Sequence, residues 1–226
     1  MKKFLTIVTT ALIAIAVVSC NSEEKPNNEE VRKLPSRMFV KFHNNPEHHN
    51  VVQFTYDEKN RMTRLVRIRT NLETHPEHLY ITYNSDNLPI RLDGIVPADI
   101  IYQDDNNTVI IHQDTFWLND KGQIAKHSRS GNRIEFTYNS SGNIITVNGV
   151  KIDFEYSNIR SIWRYVNMPE WLHRWLAGRG WVFAEQKYGY FQLLWGNFEL
   201  DENGYIIKIK NDEGQAMFEF EYIFAN

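Results

Sequence analysis

Short runs of alternating apolar and polar residues fill the chain from about residue 50 to the C-terminus. Residues 133–138 read Arg-Ile-Glu-Phe-Thr-Tyr, so that apolar or aromatic residues fall on one side of a two-residue period. Residues 218–224 repeat the pattern, with aromatic residues at the even positions and glutamates at 219 and 221. This period is typical of β-strands with one buried face, and the runs therefore predict antiparallel strands.

A turn motif recurs between these strands. It begins with an aromatic residue, a polar residue and another aromatic residue or Leu, followed by Asp or Asn, two polar residues, and Gly or Asn. The good copies span residues 54–60, 81–87, 116–122, 136–142 and 198–204, and a degenerate copy spans 154–158. Asp or Asn at the start of a turn bonds to the backbone two residues on. Gly or Asn at the fourth turn position tolerates a positive φ, which closes a type I turn with a bulge.

Together the strands and turns predict an all-β fold. We expect an antiparallel meander of repeated hairpins that forms a curled open sheet or partial barrel, in one domain over residues 37–226. One short Trp-rich helix, in an insertion over residues 157–196, is the expected exception.

The turn motif resembles the YD repeat of Rhs-type proteins. The chain looks still more like small surface lipoproteins of Bacteroidota type that carry a few such hairpins and have no known function. The resemblance covers most of residues 50–226 and implies a sheet of successive hairpins. In the large relatives this sheet is a shell that encloses an activity located in another domain, so the resemblance carries over no catalytic residue.

The repeat stops in the insertion, which holds five of the six Trp residues. A helix is predicted over about residues 168–177, because Asn167 can cap it, Pro169 suits its first turn and Gly178 suits its end. Its Met, Leu and Trp residues form one apolar stripe.

Three roles for this aromatic segment stay open. It can cover the concave apolar face of the curled sheet. It can instead offer indole faces to a glycan or to a protein partner, in which case the contact residues are predicted to be Trp163, Trp171, Arg174, Trp175 and Trp181. It can also form an interface with another chain or with the membrane surface.

The N-terminus predicts where the protein is located. Lys2 and Lys3 precede an apolar run that ends at Val18, which describes a secretory signal peptide over residues 1–19. The sequence Val17-Val18-Ser19-Cys20 resembles the lipobox of bacterial lipoproteins, which implies cleavage before Cys20 and its lipidation. The polar, acidic residues that follow predict a flexible tether over 20–36.

We therefore expect an outer-membrane lipoprotein that faces the periplasm or the cell surface. Its partners are expected to be the membrane, through the lipid anchor, and a glycan or an envelope protein. Loss of Lys2 and Lys3 would lower the basic residues from 25 to 23 against 28 acidic ones, which gives no reason to expect nucleic acid. A subunit of an outer-membrane assembly is an alternative.

Little in the sequence indicates catalysis or a cofactor. The tripeptide Pro-Glu-His occurs twice, at residues 46–48 and 76–78, which makes His48 and His78 weak candidates for a metal site. Solvated histidines in loops explain the repeated tripeptide as well. Since the known catalytic motifs are missing, no cofactor is expected, and we lean towards a protein that is not an enzyme. The alternative, a hydrolase of surface glycans, requires two acids across a cleft at ~5–9 Å.

Overall fold

The structure is a computed structural model that describes residues 31–42, 45–70, 75–152, 156–182, 190–192 and 197–226. The predicted signal peptide, Cys20 and residues 21–30 lie outside these ranges. Within the ranges, the chain forms seventeen strands and one α-helix, α1, over Glu170–Ala177.

Fifteen strands form one antiparallel sheet, and β13 and β14 pair separately. The strand bounds are β1 Lys33–Phe42, β2 Asn45–Tyr56, β3 Met62–Arg69, β4 Glu77–Tyr83, β5 Pro89–Gly94, β6 Ala98–Gln103, β7 Thr108–Ile111, β8 Asp114–Leu118, β9 Ile124–Arg129, β10 Asn132–Tyr138, β11 Ile144–Val147, β12 Val150–Lys151, β13 Tyr156–Arg160, β14 Tyr190–Gln192, β15 Asn197–Leu200, β16 Ile206–Lys210 and β17 Ala216–Phe224.

The sheet is an open meander from β1 to β12, and the last strand, β17, pairs with β1. The edges of the sheet are β12 and β15, so the insertion carries the chain from one edge to the other. The predicted fold class is confirmed. The predicted domain start at residue 37 is four residues late, because Lys33–Phe42 already pairs with β17 and β2.

Six turns share one geometry. In each, the side-chain Oδ1 of the first residue accepts backbone N–H groups from the residues two and four positions on, at 2.9–3.1 Å. The fourth residue has a positive φ of 58–86°. Five of these turns were predicted and are confirmed; the first residues of all six are Asp57, Asn84, Asn119, Asn139, Asp201 and Asn211.

The degenerate copy at 154–158 is not a turn where the structure describes it. Ser157 and Asn158 lie inside β13, which spans Tyr156 to Arg160 and pairs with β14 through an irregular register. The fourth turn position would be Arg160, and a long side chain does not favour the positive φ that Gly or Asn supplies in the other copies.

Tyrosine hydroxyls join successive hairpins where their strands separate. Each hydroxyl donates to the backbone carbonyl of a residue near the start of an earlier strand, at 2.5–2.9 Å. Tyr83, for example, reaches the carbonyl of Met62, although the paired residues of β3 and β4 end at Arg64 and Tyr80. Burial raises the pKa of Tyr83, which keeps the hydroxyl protonated as a donor. The full set is Tyr56, Tyr83, Tyr102, Tyr138 and Tyr222.

The contacts of the insertion require a curled sheet. Trp163 packs on Phe54 of β2, whereas Arg174, eleven residues later, lies over Phe136 of β10. In a flat sheet with strands ~4.8 Å apart, β2 and β10 would be separated by about 38 Å. Helix α1, with eight residues, is only ~12 Å long. The sheet therefore bends around the insertion, which lies on its concave face.

The helix begins two residues later than predicted. Pro169 is its N-cap, and Asn167 does not cap it. Instead, Asn167 donates its backbone N–H to the carbonyl of Asn60 and its side-chain amide to the carbonyl of Lys59. Gly178 is the C-cap, as predicted, but the positive φ that turns the chain back is at Gly180.

Candidate functional site

The structure places four of the predicted contact residues in the core. Trp163, Trp171, Trp175 and Trp181 are each no more than 2% exposed. Trp195, the fifth Trp of the insertion, lies outside the described residues. Among the described residues, the insertion therefore presents no indole face to solvent, and the first of the three roles left open, cover of the concave face, is the one that the packing fits. Ligand binding at these indoles stays a prediction that would require the insertion to leave the sheet.

Each buried indole has an aromatic or cationic neighbour. Trp171 packs against Tyr102 and Phe116, with ring centroids 6.1 Å apart in both pairs. The guanidinium of Arg67 lies 4.3 Å from the ring centre of Trp181. These edge-to-face and cation–π contacts add to the burial of large apolar surface. The aromatic segment is thus anchored along several strands of the sheet.

Arg174, the fifth predicted contact residue, is half-buried and lies 4.5 Å from the ring centre of Phe136. Burial lowers the pKa of Arg174, and the charge of Glu170 opposes this shift. Its cation contacts the sheet, not an indole platform.

A buried charge network fixes the end of the insertion to the sheet, and the sequence analysis missed it. Asp114 is 2% exposed and accepts hydrogen bonds from His127 Nε2 at 2.8 Å and Arg179 Nη2 at 3.2 Å. Arg67 donates to the backbone carbonyl of Arg179 at 3.0 Å. Burial alone would raise the pKa of Asp114, but the two hydrogen bonds and the charge of Arg179 lower it below its usual value.

The partners of Asp114 come from distant parts of the sequence. The carboxylate lies in β8, its imidazole partner in β9 and its guanidinium partner after α1. Because Asp114 looks like an ordinary residue beside a turn, no local pattern could have identified it. An isolated buried carboxylate would be costly, and the network offsets that cost.

The weak metal site predicted at His48 and His78 stays a prediction, because the structure describes only one of these two side chains. No group of three or more His, Cys, Asp or Glu side chains that could hold a metal is found in the part of the chain that the structure describes. The loop placement considered from the sequence is wrong, because residues 46–48 lie inside β2, and Glu77 and His78 lie inside β4. Strand β3 separates them. His78 stacks on Tyr80 and contacts Arg64 Nη2 at 3.1 Å, whereas the side chain of His48 is outside the description.

The convex face carries cross-strand ion pairs. Lys41 and Glu219 pair at 2.7 Å, Lys208 lies 3.8 Å from Glu219 and 3.5 Å from Glu199, and Lys210 also pairs with Glu199. The row thus crosses β1, β17, β16 and β15. Exposed pairs of this kind stabilise weakly, by about 0–1 kcal/mol each, but they make the face strongly polar.

An open groove lies at the ends of β9 and β10, on the side of the predicted turns. The two strands pair from Arg129 and Asn132 up to Lys126 and Glu135, and then separate. The groove between them has a volume of about 340 Å³. One wall is formed by residues 119–121, Gln123 and Ala125, and the other by residues 136–139. We call this the turn groove.

A second groove of about 200 Å³ continues from the first. It shares Lys121 and Gln123 with the turn groove and is otherwise lined by residues 140–142. Among the described residues that line the two grooves, Asp120 is the only carboxylate and Lys121 the only ammonium group. The other polar groups of the lining are amides and hydroxyls.

Gln123 joins the two grooves and carries an available donor. The residue is only 6% exposed, and its Oε1 accepts a hydrogen bond from Asn119 Nδ2 at 3.0 Å. This bond fixes the plane of the amide. The amide nitrogen donates no hydrogen bond to any residue that the structure describes, and it is not among the fully enclosed polar atoms. The sequence analysis missed Gln123, because the residue after the turn glycine has no role in the turn motif.

Comparisons with known proteins give little beyond this geometry. No protein-family model matches the sequence. No curated protein is detectably similar to it. Among solved structures, a porin-like protein from Bacteroides uniformis aligns with 86% of this chain and 97% of its own, at 12% identity and a TM-score of 0.38. Within the described residues, no helix combines the length and the hydropathy needed to cross a bilayer.

Proposed function

We propose that the protein is a lipid-anchored, non-catalytic binding module of the bacterial envelope. The proposed anchor is the lipidated Cys20, and the polar, acidic residues after it are proposed as the tether. The proposed location is the outer membrane, with the sheet facing the periplasm or the cell surface. The lipobox-like sequence and the acidic residues after it support this location.

The observation that carries the binding role is the contrast between a filled concave face and an open turn groove. The described indoles of the insertion are buried against the sheet, while the turn groove is open and lined by polar side chains together with Phe136 and Tyr138. A ligand would therefore bind at the ends of the strands. A glycan is the ligand class that we favour.

The alternative of a glycan hydrolase finds less support. Glycosidases use two carboxyl groups on opposite sides of the scissile bond. The turn groove has a single carboxylate, Asp120, among its lining residues. Asp114, the buried carboxylate described above, is hydrogen-bonded and 2% exposed.

Two measurements on the full chain test the proposal. Cell fractionation compares the wild type with Cys20→Ala; we expect the wild type in the membrane pellet and the variant in the soluble fraction. A variant that stays in the pellet after a high-salt wash would contradict the anchor.

Binding and turnover are then measured on immobilised bacterial and plant polysaccharides. We expect retention of the wild type on at least one polysaccharide, without release of new reducing ends. Release of reducing ends would favour the hydrolase, and failure to bind any polysaccharide would contradict the binding role.

A further inference from the structure

We propose that the turn groove is a subsite for a neutral, hydroxyl-rich sugar chain, with the amide of Gln123 as its central hydrogen-bond donor. The inference rests on the proposed function, since it names the ligand class and the contact residues of the same surface.

The amide of Gln123 is held in place before any ligand arrives. Its oxygen accepts from Asn119 Nδ2 at 3.0 Å, and Asn119 is itself fixed because its Oδ1 accepts the backbone N–H groups of Lys121 and Gln123. The N–H groups of the side-chain amide of Gln123 can then donate hydrogen bonds at the junction of the two grooves. A buried polar group that lacks a partner is unfavourable, so a ligand hydroxyl that accepts this bond is favoured.

The charge and chemistry of the lining select a neutral ligand. Asp120 and Lys121 contribute opposite charges, which sum to zero. The remaining polar side chains are amides and hydroxyls, which both donate and accept hydrogen bonds, as sugar hydroxyls do. Tyr138, which is half-buried, adds apolar ring surface to one wall, where the C–H face of a sugar ring can pack; Phe136 also lines this wall but is only 6% exposed.

The shape fits a chain more closely than a compact ligand. The two grooves meet at Lys121 and Gln123 and follow the ends of the strands. The larger one, about 340 Å³, lies at the lower end of the usual range for ligand pockets. Each groove thus suits a short stretch of a linear oligosaccharide that continues into solvent.

A neighbouring gap shows what the turn groove lacks. Turns 57–61 and 84–88 form the equivalent pair earlier in the meander. Hydrogen bonds bridge the space between these two turns, because Lys59 Nζ and Arg61 Nη1 both donate to Asn87 Oδ1, at 3.0 and 3.1 Å. Between turns 119–123 and 139–143, no hydrogen bond is found among the described residues. At the turn position of Asn87, whose side chain accepts both bonds at the first gap, the second gap has Gly142, which has no side chain to accept them.

The experiment titrates the full chain, purified in detergent, with linear tetrasaccharides of glucose, galactose, mannose and N-acetylglucosamine. Saturation-transfer NMR detects binding and calorimetry measures Kd. A neutral hexapeptide of Gly, Ser and Asn is the peptide probe. The variants are Gln123→Ala and Ser140→Tyr, of which the second fills the smaller groove from an exposed position. Asn87→Ala, at the bridged gap, is the matched control.

We expect at least one tetrasaccharide to bind the wild type, and about tenfold weaker binding to Gln123→Ala, the equivalent of one lost hydrogen bond. Ser140→Tyr should weaken binding to a similar extent, with an unchanged melting temperature, whereas Asn87→Ala should bind like the wild type. Because the Ser140 variant does not touch the core, a folding defect in Gln123→Ala would not hide the result.

Two outcomes would overturn the inference in different ways. If the wild type binds a tetrasaccharide and both groove variants bind it equally well, the site is elsewhere and the proposed function stands. If the wild type binds none of the sugars or polysaccharides, or binds only the hexapeptide, both the subsite and the glycan-binding function are wrong.

Discussion

The concave face and the turn groove use similar side chains in opposite ways. On the concave face, Trp163, Trp171 and Trp175 are enclosed between the sheet and the insertion, and each is at most 2% exposed. In the turn groove, the half-buried Tyr138 lies beside polar turn residues at an opening to solvent, whereas Phe136, which also lines the groove, is 6% exposed and belongs to the core. In this protein the large aromatic residues are thus mostly part of the core, and the polar residues that form the turns also line the open groove.

The largest effect is expected for Trp171→Ala. Removal of a fully buried indole leaves a cavity against Tyr102 and Phe116, and should lower the free energy of unfolding by about 3–5 kcal/mol. Chemical denaturation measures the change. The control is Trp117→Ala, because Trp117 is half-buried, with Lys126 Nζ 4.4 Å from its ring centre. An equal loss in both variants would contradict the contrast between the two faces.

The next effect concerns the charge network that fixes the insertion. Asp114→Asn should lower the free energy of unfolding at neutral pH by about 2–3 kcal/mol, because it leaves Arg179 without its carboxylate. The folded state lowers the pKa of Asp114, so its contribution is present above the unfolded pKa of ~3.9 and is lost as the pH falls through the folded value.

Melting temperatures of the wild type and the Asp114 variant between neutral pH and strong acid test this sign. The difference between the two proteins should shrink as the pH falls below ~4. A difference that stays constant over the whole range would show that Asp114 is not ionised in the folded protein.

A smaller loss is expected at the turns. Gly142 has a φ of 86°, and a β-branched residue is strained there, so Gly142→Val should destabilise the protein by about 1–2 kcal/mol. Gly178, with a φ of −62° and ordinary contact distances for an added Cβ, is the control. Gly178→Ala should change stability by less than about 0.5 kcal/mol. An unchanged melting temperature for Gly142→Val would show that this turn is formed differently.

The smallest effect is expected for the tyrosine bridges. Tyr83→Phe removes one hydrogen bond, from the hydroxyl to the carbonyl of Met62, and should lower the free energy of unfolding by about 1 kcal/mol. Tyr80→Phe is the control, since Tyr80 is 43% exposed. If both variants unfold like the wild type, the hydroxyl does not hold adjacent hairpins together.

The hairpins were predictable because their signals are local. A two-residue period and a turn with Asp or Asn first and Gly or Asn fourth lie within about ten residues, and five of the six described turns of this type follow from them. The sixth, at Asn211, lacks the aromatic residue before the turn, since Lys210 stands there. The loop placement of the histidine triplets fails because a proline does not exclude the start of a strand: β2 begins at Asn45 and includes Pro46, and β4 begins directly after Pro76.

The site was less predictable, since its geometry depends on residues far apart in the chain. The pairing of β17 with β1 and the hydrogen bond that Arg179 donates to Asp114 join residues that no short pattern relates. The groove exists because β9 and β10 separate after Lys126 and Glu135, and this separation leaves no mark in the hydrophobic pattern. Only tertiary contacts decide that the indoles are covered while the largely buried Gln123 lines an open groove.

The most direct test of the account labels the protein with 5-fluorotryptophan and records ¹⁹F NMR spectra with a soluble paramagnetic agent. Single Trp→Phe substitutions assign the resonances. We predict that the signals of Trp163, Trp171, Trp175 and Trp181 keep their line widths, because the insertion covers these indoles on the concave face. Broadening of two or more of the four would contradict the account and would restore an exposed indole surface as the place where a ligand binds.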